Sequence, residues 1–192
     1  MFRGPRRSLG RAVLALALAV LLSTGAAAER VRLTFLHVND IYQHGPRNGR
    51  GGLAELGTML ERARAAAPGP VFVTLGGDLI SPSLASSVTQ GRHMIELFNA
   101  LGLDVAVLGN HEFDFGPEVA AQRIGESRFP WLGTNVRGAD GRPFGGTVAS
   151  VVREVAGIRV GFLGVLTPDT AQLSQAEGVT FTPPAAALRE GI

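Results

Sequence analysis

The 192-residue sequence contains no cysteine and no lysine, and it has a single tryptophan and a single tyrosine. Without cysteine the chain can form no disulfide and can carry no lipoprotein anchor. No histidine follows His111, although three precede it. Hydrophobic residues nevertheless make up 45% of the chain, and glycine is abundant with 26 residues. This composition excludes a disordered or fibrous protein and allows one substantial domain with a packed core.

Residues 1–28 have the pattern of a secretory signal peptide. Four arginines precede an apolar run of 11 residues, 12–22, and three alanines then favour cleavage near Ala28. A membrane anchor is the less favoured alternative, because about 20 apolar residues are needed to span a bilayer. The pair Arg6-Arg7 also leaves a twin-arginine export signal open. We therefore predict a periplasmic or secreted protein with no stable membrane anchor.

The charge of the chain gives no support for nucleic-acid binding. Removal of residues 1–28 takes away four basic and no acidic residues, which leaves 14 basic against 16 acidic residues and a net charge of −2. The sequence also has no basic stripe with interleaved aromatic residues. We therefore predict no nucleic-acid partner.

Apolar strand-like runs alternate with segments of helical period along the chain. A parallel sheet covered on both faces is the structure that this alternation favours. Two further strand-like runs flank a turn at Ala156-Gly157. The last residues, 185–192, have the pattern of a helix without a stop signal, so we expect the sequence to be part of a longer domain. The predicted strands are 31–38, 71–75, 105–108, 131–134, 147–155 and 158–165, and the predicted helices lie near 52–66, 94–101 and 117–124.

Polar side chains follow the first three predicted strands: Asp40, Asp78 and the pair Asn110-His111. In open parallel sheets, ligand sites form outside the carboxyl ends of the strands, so these side chains are expected to converge. Oxygen and imidazole ligands suit divalent ions such as Mn, Zn or Mg. A lone aspartate after a strand is more often a turn former than a ligand. Three such strand ends in succession favour a functional site.

Three stretches carry a resemblance to a known family. Leu-His-Val-Asn-Asp at 36–40, Gly-Asp at 77–78 and Gly-Asn-His-Glu-Phe-Asp at 109–114 resemble the first three sequence blocks of the calcineurin-like metallophosphoesterases. The third block, with Glu-Phe-Asp after the histidine, is similar to the 5′-nucleotidase and UDP-sugar hydrolase branch. Residues 51–54 and 133–136 resemble further stretches of that branch.

The resemblance implies an α/β fold, the four-layer α/β/β/α metallophosphoesterase sandwich. In the full family a separate nucleotide-binding domain follows. Residues 29–192 would then be the N-terminal part of the catalytic domain, incomplete at the C-terminus.

The resemblance also implies roles for five residues. Asp40 would bind a first metal ion, Asp78 would bridge both ions, and Asn110 would bind the second ion through its side-chain oxygen. Two divalent ions, Mn, Zn or Mg, would clamp a phosphate and activate the attacking water. His111 would stabilise the developing charge or protonate the leaving group. Asp114, three residues further on, would orient the His111 imidazole.

The sequence departs from the family pattern at the first block, which normally reads Asp-x-His and here ends in Tyr42. A phenol has a pKa near 10 and is a poor ligand unless a metal ionises it. Tyr42 therefore either ligates as phenolate or only packs and hydrogen-bonds near the site. His44 is a further candidate ligand.

A later Gly-His-x-His block of the family has no counterpart after His111, so we expect this chain to hold metal weakly and to turn over slowly. Of the earlier histidines, we expect His37 to point into the structure and His93 to begin a helix.

Three functions follow from these patterns. The first is a two-metal phosphoester hydrolase acting on small-molecule phosphoesters, namely nucleotides or nucleotide sugars. The second is a related two-metal hydrolase with a non-nucleotide substrate, similar to the thiosulfohydrolases. The third is a truncated binding module that keeps the fold without catalysis.

Overall fold

In the computed structural model, which describes residues 30–192, four parallel strands form the central sheet. Each strand pairs with the next one along the chain, so all four carboxyl ends lie at one edge of the sheet. The predicted signal peptide, residues 1–28, lies outside the described residues. The strands of this sheet are β1 (Thr34–Val38), β2 (Val71–Leu75), β3 (Val105–Val107) and β4 (Trp131–Leu132).

Three helices lie close to where the hydrophobic period predicts them, near 52–66, 94–101 and 117–124. Helix α3 (Arg92–Leu101) buries Met94, Ile95 and Phe98 at helical spacing and is capped by Gly102, whose φ of 71° is left-handed. The helices are α1 (Leu53–Ala66), α2 (Leu84–Thr89), α3 (Arg92–Leu101), α4 (Pro117–Glu126), α5 (Thr170–Leu173) and α6 (Pro184–Gly191), with 3₁₀ turns at Asn110–Phe113 and Phe144–Gly146.

Two antiparallel strand pairs complete the fold. Strands β6 (Ser150–Val155) and β7 (Ile158–Leu163) form the predicted hairpin, and the turn residues Ala156 and Gly157 have φ values of 48° and 72°. Such positive φ values match the twist of a two-residue hairpin turn. The sequence does not predict the second pair, in which β5 (Val136–Arg137) joins β8 (Thr180–Phe181).

The two faces of the central sheet have different cover. Leu36, Val73 and Leu75 pack in the main core with the helices. The opposite face carries Phe35 and Phe72, which stack on each other with centroids 5.5 Å apart and meet Phe162 of the hairpin. The sequence predicts a sheet covered on both faces, but this face is only partly covered, because Phe35 remains 52% exposed.

His37 lies on this less covered face, and the prediction that it points into the structure is wrong. Its side chain is exposed, and Nδ1 lies 2.8 Å from the Thr74 hydroxyl. Because side chains alternate along a strand, His37 shares the face of Phe35 rather than that of Leu36. The helices within residues 30–192 all fall short of the length and hydrophobicity that a membrane span requires.

Candidate metal and phosphate site

Asp40 and Asp78 follow adjacent parallel strands, and backbone hydrogen bonds continue between the chains beyond those strands. The Gly76 N–H donates to the Val38 carbonyl over 2.8 Å, and the Asp40 N–H donates to the Gly77 carbonyl over 3.2 Å. Both aspartates have positive φ, 57° and 60°, a region that non-glycine residues seldom occupy. Such strain, retained at two neighbouring carboxylates, is typical of functional sites.

The loop after β3 meets Asp78 through its backbone. The His111 N–H donates to Oδ1 of Asp78 over 3.0 Å. A Cβ at Gly109 would overlap the Asp78 carboxylate, and a Cβ at Gly77 would lie 2.6 Å from the Gly109 nitrogen. Both positions therefore require glycine, since the two loops approach each other backbone to backbone.

Glu112 joins these two loops, a role that its sequence pattern does not predict. Its carboxylate is fully buried and accepts four backbone N–H groups. Oε1 accepts from Leu79 (2.6 Å) and Ile80 (3.3 Å), and Oε2 accepts from Asp78 (2.9 Å) and Gly109 (2.5 Å). Burial raises the pKa of Glu112, while these hydrogen bonds oppose that shift by favouring the carboxylate. The buried carboxylate thus fixes the Asp78 loop against the loop that carries Asn110 and His111.

The structure brings His111 and Asp114 together. Nδ1 of His111 lies 2.7 Å from Oδ2 of Asp114 across the 3₁₀ turn. The carboxylate accepts, so Nδ1 carries the proton and Nε2 stays available. Burial lowers the pKa of His111, but the hydrogen bond and the negative charge of Asp114 outweigh it, so the pKa lies above its ordinary value.

Tyr42 contacts both parts of the predicted site. Its hydroxyl donates to Oδ1 of Asp40 over 2.6 Å, and its ring meets the His111 ring edge to face at 5.6 Å. The Asn39 amide donates to the other Asp40 oxygen. These two hydrogen bonds lower the pKa of Asp40. Burial and the bond to Asp40 raise the pKa of Tyr42, so its proton stays on the phenol in this arrangement.

His44, the other candidate for the missing ligand, lies elsewhere. Its ring packs edge to face on the His93 ring, with centroids 5.6 Å apart. It lines a cleft with Ser83 and Leu84, whereas Asp40 lines a neighbouring cleft. His93 itself lies in the first turn of α3, as the sequence predicts, and its Nδ1 is 2.7 Å from the Thr89 hydroxyl.

The donor set at the strand ends has the chemistry of an oxygen-preferring cation site. Asp40, Asp78 and Asn110 offer two carboxylates and one amide oxygen, which suit Mg or Mn. Burial raises the pKa of Asp78, and the nearby charge of Asp40 adds to that rise, so a cation between the two carboxylates would relieve an unfavourable pair. Across residues 30–192, no group of three or more His, Cys, Asp or Glu side chains is arranged to hold a metal ion. The residue types of the predicted ligands Asp40, Asp78 and Asn110 thus suit a divalent cation, and metal binding by them stays a prediction.

Comparison with known proteins identifies the family of this chain. Residues 33–182 match the family model described as calcineurin-like phosphoesterase. Mouse 5′-nucleotidase is 32% identical over 177 residues, which cover 84% of this chain and 31% of that protein. Protein UshA of Yersinia enterocolitica is 29% identical over 187 residues, 91% of this chain and 34% of that protein. The chain thus spans about a third of the length of the curated relatives it matches.

A solved structure extends the likeness to the fold. The 5′-nucleotidase precursor from Thermus thermophilus superposes with a TM-score of 0.70 at 29% identity, over 82% of this chain and 33% of that one. The predicted metallophosphoesterase fold class is thereby confirmed, and the homology supports a phosphoester hydrolase. The family match spans residues 33–182, which include the four-stranded sheet and the loops that carry Asp40 and Asp114. The chain therefore belongs to the calcineurin-like phosphoesterases.

Proposed function

We propose that the protein is a two-metal phosphoester hydrolase that acts on nucleotides or nucleotide sugars. The observation that carries the proposal is the hydrogen bond from the His111 backbone to Asp78, which joins a predicted acid to a predicted metal ligand. The relatives named 5′-nucleotidase support nucleotides as the substrate class.

The strand-end oxygens are the proposed metal ligands. Asp40, Asp78 and Asn110 would hold divalent ions, Mn, Zn or Mg, which when bound supply Lewis-acid activation of a phosphate and of the attacking water. Glu112 holds the loops that carry these ligands at a fixed separation. Fixed ligand positions favour catalysis because no reorganisation is required at the moment of reaction.

His111 is the proposed acid or charge-stabilising group. Its Nδ1 is engaged by Asp114, so Nε2 is the atom that donates a hydrogen bond to a phosphoryl oxygen or a proton to the leaving-group oxygen. Tyr42 limits the movement of this imidazole, since its ring contacts one side of it. Asp114 and Tyr42 together therefore orient the side chain.

Phosphate release from AMP and from UDP-glucose, measured with Mn²⁺, tests the proposal. We expect hydrolysis of at least one of the two, and a loss of about 100-fold or more in kcat for His111→Ala, the usual range for removal of a proton-transfer group. His44→Gln is the matched control, because His44 packs on His93 outside the Asp40 cleft. Absence of release from both substrates would contradict the proposal. Hydrolysis of sulfur conjugates alone would instead identify the thiosulfohydrolase alternative.

We also propose that the protein acts in the periplasm or outside the cell, with residues 1–28 as its export signal. The support is the arginine-rich start, the apolar run and the small residues before Ala28. Cell fractionation with N-terminal sequencing of the mature protein tests this, and a mature chain that still begins at Met1 would contradict it.

A further inference from the structure

A short loop next to Asp40 carries two paired arginines. The N–H of Arg47 donates to the Arg50 carbonyl over 2.9 Å, and the N–H of Arg50 donates back to the Arg47 carbonyl over 3.1 Å. Asn48 and Gly49 between them have φ values of 53° and 72°, as in a two-residue turn of the type favoured by Asn-Gly. Directly opposite residues of an antiparallel pair project their side chains from the same face. Both guanidinium groups therefore leave the loop on one side.

The base of this loop is closed by the backbone. The Leu53 N–H donates to the His44 carbonyl over 2.9 Å. Gly52, with φ of 107°, approaches the backbone of Pro46 so closely that a Cβ there would lie 3.0 Å from the proline nitrogen. A loop held at both its base and its tip loses little conformational freedom when a ligand binds.

Neither Arg47 nor Arg50 forms an ion pair within residues 30–192. Like charges at directly opposite positions destabilise an antiparallel pair. In the part of the chain that the structure describes, the four ion pairs involve other residues, and both arginines are exposed. Glu55, the acidic group nearest along the chain, accepts the Gly51 N–H over 2.8 Å. An anion bound between the guanidinium groups would remove the repulsion.

The position of the pair indicates which anion. Arg47, Arg50, Asp40 and Tyr42 line one cleft of about 270 Å³. The cleft contains the predicted metal ligand Asp40. It also contains the two guanidinium groups, whose forked N–H donors suit phosphate oxygens. We propose that Arg47 and Arg50 bind a second phosphate of the substrate, next to the one that is hydrolysed. The substrate class is then a phosphoester with a diphosphate group, such as a nucleoside diphosphate, rather than a monophosphate.

This inference rests on the proposed function for the placement of the first phosphate. The test therefore has one arm that needs no catalysis. Binding of inorganic pyrophosphate and of inorganic phosphate is measured by ³¹P NMR titration without divalent metal, for the wild type and for the double variant Arg47→Gln/Arg50→Gln. We expect pyrophosphate affinity to fall about tenfold or more in the double variant, the loss typical of charge-assisted hydrogen bonds. Arg62→Gln, an exposed arginine on α1, is the matched control and should leave the affinity unchanged.

The second arm compares ADP with AMP as substrates in the presence of Mn²⁺. We expect kcat/KM for ADP to fall about tenfold in the double variant and kcat/KM for AMP to change by less than about twofold. Equal losses on the two substrates, unchanged pyrophosphate binding, or an equal loss in Arg62→Gln would overturn the inference. If the wild type hydrolyses neither substrate, the proposed function fails, while pyrophosphate binding still decides the role of the arginines.

Discussion

The backbone N–H of His111 donates to Oδ1 of Asp78 over 3.0 Å. This bond joins the loops after two neighbouring strands, so the predicted acid and the predicted bridging ligand have a fixed relative position. The side chain of His111 is fixed separately, by Asp114 at 2.7 Å. Changes at either contact are therefore expected to have separable effects on metal binding and on imidazole chemistry.

Replacement of Glu112 by glutamine should destabilise the protein strongly. The amide keeps one oxygen but turns an NH₂ group towards backbone N–H donors, which leaves buried donors unpaired. Each unpaired donor costs about 1–3 kcal/mol, so we expect a loss of about 3 kcal/mol in the free energy of unfolding. Urea denaturation in the presence of a chelator measures this loss of stability. Glu118→Gln, at an exposed position of α4, should change stability by less than about 0.5 kcal/mol, and equal effects would contradict the role of Glu112.

Replacement of Gly109 by alanine tests the close approach of the two loops. Its φ of −106° is accessible to alanine, so the expected cost comes from overlap with Asp78 alone. We expect a loss of about 1–3 kcal/mol in unfolding free energy, together with weaker Mn²⁺ binding. Gly125→Ala is the matched control, because its Cβ would meet nothing within 4 Å and it lies inside α4. That variant should gain about 0.5–1 kcal/mol, and a similar gain at Gly109 would disprove the contact.

Replacement of Asp114 by asparagine should lower the pKa of His111, because the neighbouring negative charge is lost. The folded-state pKa of His111 is raised above the ordinary 6.5, so the stabilisation that this pair provides is fully present below about pH 6.5 and is lost as the pH rises through the folded value. The difference in unfolding free energy between wild type and variant should therefore be larger at about pH 6 than at about pH 9. NMR titration of the imidazole and urea denaturation at both pH values, in metal-free protein, measure the two effects. A constant difference would show that Asp114 acts only through packing.

Replacement of Tyr42 by phenylalanine separates the two interpretations of this residue. The Tyr42 hydroxyl donates a hydrogen bond to Oδ1 of Asp40, a predicted metal ligand. Removal of the hydroxyl therefore frees this oxygen for a metal ion. We expect the variant to bind Mn²⁺ at least as tightly as the wild type, as measured by titration calorimetry. If Tyr42 instead binds the metal as phenolate, the Mn²⁺ affinity of the variant should fall by about tenfold or more.

The sequence predicts best those features that depend on local spacing. The strands β1, β2 and β3 follow from apolar runs, and α4 begins at Pro117 as its residue type favours. His111 and Asp114 are three residues apart, so a single helical turn brings them into contact without help from the rest of the chain.

Features that depend on residues far apart in the chain are not predicted by the sequence. Three of the four N–H groups that Glu112 binds lie more than 30 residues away, so its place in the motif at 109–114 does not show that it joins two loops. Helix α2 has exposed Leu84 and Val88 instead of an apolar stripe, so the hydrophobic period does not reveal it. The orientation of His37 depends on strand register, and a shift of one residue reverses the face.

The shared carboxylate of Glu112 has a consequence for how the site opens. Four amide hydrogens, those of Asp78, Leu79, Ile80 and Gly109, are protected by one side chain. Hydrogen exchange at these amides should therefore occur with a common opening free energy, although they lie in two loops. The two strand ends then behave as one cooperative unit, which is either assembled as a whole or open as a whole.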